Sequence, residues 1–282
     1  MNPVDQSAVS SVSVKQVDRN GIAVVDDIVA VEEPLAIRLS WPDANKIEYV
    51  VRDIAVTMRT PGHDHELALG FLFTEGILHS PDQVAQVYRP KGDDAANTII
   101  VELTEAPVLD ATQLERNFFM TSSCGICGKA SLAAIRTQAK FDVRGDKLRV
   151  PAEMLTSLPD LLATGQQTFA GTGSVHAAVL FSANGLCSEV YEDIGRHNAM
   201  DKLIGASLRA SSLPLWNMGL FVSGRSSFEL VQKARMAGCA MLAAVGAPSS
   251  LAIELAWEAD MTLLGFVRDG RFNIYAGPAR IV

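Results

Sequence analysis

Two cysteines three positions apart, Cys124 and Cys127, are the side chains whose spacing points most directly to chemistry. They lie in the run SSCGICGK at 122–129, directly ahead of a helix-like segment at 130–140. Glycine permits close backbone approach, and the N-terminus of a helix offers free N–H groups with a partial positive charge. Lys129 adds a formal charge. These features favour the thiolate, which is the reactive form, so the run predicts a presented and activated sulfur site.

Other kinds of cysteine site share this spacing. Half of a zinc site would need a second Cys or His pair, whereas Cys187 and Cys239 stand alone in the sequence. A thioredoxin-type redox pair is the next alternative, although no Trp precedes the run and the βαβ lead-in is missing. A structural disulfide fits least well with an intracellular chain. Spacing alone therefore favours a reactive sulfur site and leaves a redox pair and a zinc site as alternatives.

Three glycine turns carry the second group of candidate residues. One holds Gly171, Gly173 and His176, and a second, at 195–198, holds Gly195, Arg196, His197 and Asn198 between Asp193 and Asp201. The third holds Ser223, Gly224 and Arg225 ahead of a helix, with Ser226 and Glu229 at the spacing of a capping box. Each turn alone is compatible with an ordinary helix cap or surface loop. Arg and a helix N-terminus both suit phosphate, and all three turns follow or precede strands. We expect them to converge at the carboxyl ends of the strands.

The elements that position these turns alternate between strands and helices. The first third of the chain reads as strands around 35–39 and 47–58, with a change of phase at Arg52–Asp53, then a helix over 63–78 and a strand over 98–103. The remainder predicts a helix over 151–162 with Pro159 as a possible break, a flexible turn at 169–176, and an Asn184–Gly185 hairpin between strands 177–181 and 186–191. Further strands are predicted over 215–222, 239–245, 261–268 and 272–275, with a helix over 248–259. This alternation predicts an α/β layered domain.

The totals exclude several classes of protein. The chain has 282 residues, a net charge of −8 and four cysteines. The negative charge argues against a nucleic-acid binder, and no apolar run reaches the roughly 18 residues needed to span a membrane. The start of the chain lacks the pattern of a secretory signal, so we expect a cytoplasmic location.

We predict a loose extension over 1–20, a smaller α+β domain over 21–110, and an α/β domain over 111–282 that carries the cysteine run.

Four of these motifs, taken together and in order, resemble the FdhD/NarQ family of formate dehydrogenase accessory sulfur carriers. They are ELALGFLFTEG at 66–76, SCGICGK at 123–129, DIGRHNAMDK at 193–202 and SGR at 223–225. The resemblance runs from about residue 30 to the end of the chain. It implies a cytidine-deaminase-like three-layer fold for the second domain. His176 is followed by Ala177–Ala178, so the glutamate of the zinc deaminases is missing from the expected place and deamination is not expected.

The resemblance also implies a function. Cys124 matches the persulfide cysteine and Cys127 its companion, which makes the chain sulfurtransferase-like. Sulfur would come from a cysteine desulfurase and pass to the molybdenum bis-guanine-dinucleotide cofactor for formate dehydrogenase, and a homodimer is expected by analogy. The stretch 265–270 matches the family's cofactor-binding segment and contains Gly265, Phe266, Val267, Arg268, Asp269 and Gly270. Arg196 and Arg225 would hold the phosphates, Asp193 or Asp201 the guanine, and no resident metal is expected. A thiol–disulfide oxidoreductase and a non-catalytic cofactor-binding chaperone are the alternatives.

Overall fold

A two-stranded ribbon opens the part of the chain that the structure describes. The computed structural model describes residues 6–45, 47–92, 95–108 and 139–282. Strands β1 (Val9–Asp18) and β2 (Gly21–Ala30) pair antiparallel along their whole length. Residues 9–18, predicted as part of a loose extension, thus form a paired strand. The missed signal is Asn20–Gly21, an Asn-Gly turn in which the Asp18 side chain accepts a hydrogen bond from the Asn20 N–H.

The first sheet has four strands in the order β4-β3-β6-β5. They are β3 (Glu33–Pro42), β4 (Tyr49–Arg59), β5 (Val84–Tyr88) and β6 (Thr98–Leu103). The predicted change of phase near Arg52–Asp53 is confirmed as a bulge, because Ile37 pairs with Ala55 while Arg38 pairs with Asp53. One face of this sheet buries the alternating Leu35, Ile37 and Leu39 that the sequence indicates.

Helix α1 (Asp64–Thr74) covers that buried face and confirms the predicted helix, although it ends earlier than residue 78. Leu67, Phe71 and Leu72 lie in the same buried cluster as the strand side chains. Short 3₁₀ turns occupy other connections and are Gln6–Ala8, Pro81–Gln83, Ala95–Asn97 and Pro278–Arg280.

The second sheet has seven strands. They are β7 (His176–Ser182), β8 (Gly185–Leu186), β9 (Tyr191–Asp193), β10 (Gly219–Val222), β11 (Met241–Ala244), β12 (Thr262–Arg268) and β13 (Arg271–Ala276). Strands β10, β11 and β12 run parallel, and β7 and β13 flank them antiparallel. The Asn184–Gly185 hairpin is confirmed between β7 and β8, but the predicted return strand is split into β8 and β9, which both pair with β7.

Helices cover both faces of the second sheet. They are α2 (Ala152–Gly165), α4 (Arg196–Arg209), α5 (Phe228–Met236) and α6 (Ser250–Glu258), whereas the short helix α3 (Gln167–Thr172) contacts strand β2 of the ribbon. Alternate side chains of β7 divide between two buried clusters, one shared with α2 and the other with α4, α5 and α6. The second sheet therefore lies between two layers of helices, which agrees with the predicted α/β class. Helix α2 continues through Pro159, and part of the predicted flexible turn at 169–176 is the short helix α3.

A close crossing of α1 and α4 joins the two sheets. A β-carbon added to Gly205 would lie 1.8 Å from the Glu66 carbonyl oxygen, and one added to Gly70 would lie 1.8 Å from the Asp201 carbonyl oxygen. The backbones therefore touch where both helices carry glycine. One buried cluster holds side chains from both sheets and both helices. The predicted domain boundary near residue 110 falls outside the described residues and stays a prediction.

Candidate functional site

The carboxyl ends of three parallel strands form one edge of the second sheet, which we call the carboxyl edge. The Gly246 N–H, just after β11, donates to the Gly224 carbonyl oxygen, just after β10, at 3.0 Å. The Phe266 N–H in β12 donates to the Gly246 carbonyl oxygen at 3.1 Å. Ligands of open α/β sheets bind beyond such strand ends. The turn at 223–225 therefore lies where the sequence places it, and Gly246 joins it.

His176 reaches the same edge from the antiparallel strand β7. The Ser223 hydroxyl accepts a hydrogen bond from the Ala177 N–H at 2.9 Å and lies 3.5 Å from His176 Nδ1. A β-carbon on Gly224 would lie 3.3 Å from His176 Nδ1 and 3.5 Å from Arg196 Cδ. Position 224 thus sits between His176 and Arg196 with little room for a side chain. Gly224 and Arg196, from two of the three predicted turns, therefore lie together here. His176, from the third turn, lies beside them.

The N-terminus of α4 faces this edge and is suited to an anion. Arg196 begins the helix after Gly195, and the first turn contains no acidic residue. The positive end of the helix dipole is therefore not offset by a carboxylate in that turn. Arg196 Nε and the Ser226 hydroxyl are buried without a hydrogen-bond partner among the described residues. Buried polar atoms without a partner are rare, so both are candidates to bind a ligand oxygen.

The electrostatic environment of His176 is cationic. Partial burial lowers the pKa of His176, and the positive charges of Arg196, His197 and Arg225 lower it further, while Asp193 opposes them. The imidazole is therefore held neutral beside two guanidinium groups. We call His176, Arg196 and Arg225 the cationic cluster. Binding of a phosphate beside Arg196 and Arg225 would offset the positive charges that lower the pKa of His176.

The structure removes two predicted ligand contacts, Asp193 and Asp201. The Asp193 carboxylate is fully buried and lies 2.8 Å from the Lys202 ammonium, and it also accepts from the Gly195 and Thr60 N–H groups. Burial raises the pKa of Asp193, and the charge and hydrogen bond of Lys202, together with the hydrogen bonds from Gly195 and Asn198, oppose that rise. Because its oxygens are already bonded inside the protein, we no longer assign Asp193 to a guanine.

Asp201 is likewise turned inward. Its carboxylate accepts two hydrogen bonds from the Lys233 ammonium, at 2.8 and 2.9 Å, and one from the Thr74 hydroxyl at 2.9 Å. Burial alone would lower the pKa of Lys233, but the carboxylates of Asp201 and Glu75 outweigh it and raise that pKa. Asp201 therefore joins α4 to α5 and α1, and it too is removed from the ligand contacts.

His197 and Asn198 also have partners within the protein. His197 Nε2 lies 2.8 Å from a carboxylate oxygen of Glu229 and 3.3 Å from the Ser227 hydroxyl. The Asn198 amide donates to the Met58 carbonyl oxygen at 2.7 Å, and its oxygen accepts from Thr57. Asn198 is buried and holds β4 against α4. The predicted capping box is wrong, because the N-cap of α5 is Ser227 and the Ser226 side chain does not cap.

The remaining predicted residues lie in two places. Gly171 and Gly173 are exposed at the end of α3, and a β-carbon at either would contact nothing within 4 Å, so neither joins the carboxyl edge through a close contact. In 265–270, Val267 is fully buried in the core and is not a ligand contact. Gly265 packs against Pro248 and Tyr275. Phe266 reaches the edge with a left-handed φ of 53°, and the Arg268 guanidinium lies 5.4 Å from its ring centre. Asp269 and Gly270 form the exposed hairpin turn.

The predicted reactive cysteines, Cys124 and Cys127, lie outside the described residues. Of the described cysteines, Cys187 is exposed and Cys239 is buried. Burial raises the pKa of Cys239 to about 12, which makes its thiol unreactive at neutral pH. Within 6–45, 47–92, 95–108 and 139–282, no three His, Cys, Asp or Glu side chains are grouped as metal ligands would be. No helix in these ranges is long and apolar enough to cross a membrane.

Sequence reasoning missed Gly246, Lys202 and Glu229. Gly246 carried a visible signal, since Val245–Gly246 ends a buried strand ahead of a helix just as Ser223–Gly224 does. Glu229 pairs with His197 of another helix. Lys202 donates to the Thr60 carbonyl oxygen, 142 positions away, as well as pairing with Asp193. Their roles therefore depend on how distant segments pack together.

Known proteins resemble this chain over nearly its whole length. A family model described as the FdhD/NarQ family matches residues 30–282. A Streptomyces avermitilis relative named "Sulfur carrier protein FdhD" is 48% identical over 261 residues, covering 90% of this chain and 89% of that protein. A relative of the same name from Sulfurisphaera tokodaii is 39% identical over 274 residues, covering 97% of this chain and 99% of that protein. A crystal structure of a protein described as a formate dehydrogenase accessory protein, from Desulfotalea psychrophila, aligns with a TM-score of 0.73 at 22% identity and covers 98% of this chain and all of that one. At this level of identity, that structure supports the fold.

Proposed function

The chain belongs to the FdhD/NarQ family, and on that premise we propose that it is a sulfur carrier in the maturation of formate dehydrogenase. The observation that carries the role is similarity at 39–48% identity, over at least 90% of the chain, to relatives that bear the name sulfur carrier protein. The CxxC run supplies the side chain that the role requires. The donor and the acceptor of the sulfur are the finer parts of the proposal.

We propose that a cysteine desulfurase is the donor and that Cys124 accepts its sulfur. The Cys124 thiolate attacks the outer sulfur of the desulfurase persulfide, a new S–S bond forms at Cys124, and the desulfurase cysteine leaves as its thiolate. Cys127 would release the sulfur by attacking Cys124, which forms a disulfide between the two and expels hydrosulfide. Each step conserves sulfur and electrons without a further reductant.

The acceptor in this proposal is the molybdenum bis-guanine-dinucleotide cofactor, bound as substrate. The carboxyl edge supports it, because Arg196, Arg225 and the N-terminus of α4 offer positive charge to phosphate groups. Arg196 Nε and the Ser226 hydroxyl are buried polar atoms that still have donors to offer. Gly224 and Gly246 bring the backbone of two turns to the same place, where it can approach a phosphate closely.

Expectations about the architecture, the oligomeric state and the location belong to the same proposal. The mixed sheet with helices on both faces is compatible with the cytidine-deaminase-like architecture that the family implies. A homodimer is expected by analogy with the family, and a cytoplasmic location from the low cysteine content of the chain. An oxidoreductase or a chaperone would share the fold, so the test must follow the sulfur itself.

The test is mass spectrometry of the protein after incubation with a cysteine desulfurase and cysteine. We expect the wild type to gain one sulfur atom on the peptide that contains Cys124, and Cys124→Ala to gain none there. Cys187→Ser, at an exposed cysteine outside the run, is the matched control and should behave as the wild type. Normal formate dehydrogenase activity in a strain that carries Cys124→Ala would refute the role. Full activity with both Cys124 and Cys127 changed to Ser would favour the chaperone, and turnover on protein disulfides the oxidoreductase.

A further inference from the structure

Two ion pairs, one turn apart, join helices α4 and α5. The outer pair is His197 with Glu229, at 2.8 Å, and the inner pair is Asp201 with Lys233, also at 2.8 Å. Both residues of the outer pair precede their inner counterparts by four positions, which is about one helical turn. The two helices therefore run side by side in the same direction. The polarity reverses between the pairs, since α4 supplies the base in the outer pair and the acid in the inner one.

The outer pair lies at the helix N-termini that face the carboxyl edge. Arg196 directly precedes His197, and the turn that carries Gly224 and Ser226 directly precedes α5. The Ser227 hydroxyl, at the N-cap of α5, lies 3.3 Å from the same His197 Nε2. The outer pair therefore sets the distance between Arg196 on one helix and the glycine turn on the other.

The negative charge of Glu229 opposes the binding of an anion nearby. The hydrogen bond from His197 is the largest cause that lowers the pKa of Glu229, and burial opposes it, so the residue is a carboxylate at neutral pH. Arg196 is among the cations that stabilise this carboxylate. A carboxylate this near would by its charge alone weaken the binding of a phosphate. A useful role for Glu229 at this place must therefore come from geometry.

The inner pair allows the outer pair to be altered without loss of the fold. Asp201, Lys233 and Thr74 are buried and joined by hydrogen bonds of 2.7–2.9 Å. Glu229 and His197 are each only partly buried. Loss of the outer pair should consequently loosen the first turns of α4 and α5 while the remainder of both helices stays in place.

We propose that Glu229 is a positioning residue for the anion site, and that it acts through His197 to hold Arg196 against the turn that contains Gly224. This inference rests on the proposed function, because it takes the carboxyl edge to be the site that binds nucleotide phosphates. His197 is thereby reassigned from a ligand contact to the link between Glu229 and Arg196.

The test is calorimetric titration of the full-length protein with guanosine diphosphate, which carries the guanine and the paired phosphates of one cofactor arm. We expect Glu229→Gln to bind about tenfold more weakly, by analogy with the lower end of the loss that follows removal of a residue that orients a metal ligand. The sign of the change is diagnostic, because removal of a negative charge without a change in geometry would strengthen binding instead. Glu254→Gln, on the exposed side of α6, is the matched control for charge.

A double-mutant cycle adds a readout that general destabilisation would not move. If Glu229 acts through His197, then Glu229→Gln should have little further effect on affinity in a His197→Asn background. Thermal unfolding of all variants, followed by circular dichroism, should show that each remains folded. Equal or tighter binding by folded Glu229→Gln, or additive effects in the cycle, would overturn the inference.

Arg196→Gln separates this inference from the proposed function. Arg196 is expected to contact the phosphates, so its replacement should weaken binding whether or not Glu229 matters. Absence of binding by the wild type, or unchanged binding by Arg196→Gln, would contradict the proposed ligand site. Binding that depends on Arg196 and not on Glu229 would contradict the positioning role alone.

Discussion

His176 is the titratable side chain of the cationic cluster, and its surroundings make the stability of the fold depend on pH. Partial burial and the charges of Arg196, His197 and Arg225 lower the pKa of His176 in the folded protein, against the single opposing charge of Asp193. The unfolded chain takes up the proton at an ordinary histidine pKa of about 6.5. Proton uptake therefore favours the unfolded state in acid.

We predict that the neutral state of His176 lowers stability at no pH above about 6.5, where the unfolded chain is also unprotonated. The free energy of unfolding should then decrease as the pH falls below about 6.5, because the unfolded chain binds the proton before the folded protein does. His176→Gln should flatten the pH dependence of unfolding by urea between neutral and mildly acidic pH. His79→Gln, at an exposed histidine, is the matched control. The same slope in wild type and His176→Gln would contradict this account.

At the scale of secondary-structure elements, the crossing of α1 and α4 decides where the candidate site lies. Gly70 and Gly205 allow the two backbones to touch, and α4 then presents Arg196 at the carboxyl edge. Interior glycine normally costs a helix roughly 0.5–1 kcal/mol relative to alanine. Here the close approach requires glycine, because a β-carbon at either position would overlap a backbone oxygen of the other helix.

Gly205→Ala should therefore destabilise the protein by about 3 kcal/mol or more, at the upper end of the usual cost of overpacking. Gly171→Ala is the matched control, since it also lies in a helix but a β-carbon there meets nothing within 4 Å. That substitution should stabilise slightly, by the helix propensity of alanine. Urea unfolding followed by circular dichroism measures both, and a Gly205→Ala variant as stable as the wild type would show that the crossing can relax.

At the scale of the whole molecule, one buried cluster spans both sheets. Leu35 and Ile99 of the first sheet and Leu220 and Leu263 of the second belong to it, with the side chains of α1 and α4 between them. The two sheets therefore share a core, and neither can lose its packing without exposing side chains that cover the other.

We predict that the two larger sheets and the helices packed against them unfold in a single cooperative transition. Differential scanning calorimetry should give a calorimetric enthalpy equal to the van't Hoff enthalpy. Two resolved transitions would show instead that the sheets are independent units. The ribbon of β1 and β2 is the expected exception, because a two-stranded ribbon is only marginally stable by itself.

The sequence was informative wherever the deciding interactions are local. Helix α1, the hairpin at Asn184–Gly185 and the bulge near Asp53 follow from periodicity and turn chemistry, and all three are confirmed. Gly224 and Arg196, from two of the three predicted turns, also lie together at the carboxyl edge with His176, whereas Gly171 and Gly173 of the third turn do not reach it.

The errors at the candidate site concern charged side chains that the fold buries. Asp193 and Asp201 look like exposed loop and helix charges, yet each is buried against a lysine. For Asp201 that lysine is Lys233, 32 residues away, and no local sequence pattern indicates this pairing. The same reason hides Glu229, whose role depends on how α4 and α5 are aligned.

The glycines of the helix crossing also have a genetic consequence. Every missense change at the first or second base of a glycine codon introduces an amino acid with a β-carbon. At Gly70 and Gly205 that carbon would fall 1.8 Å from a carbonyl oxygen of the opposite helix. A single substitution at either position would therefore be tolerated only if one of the two helices shifted to make room for the β-carbon.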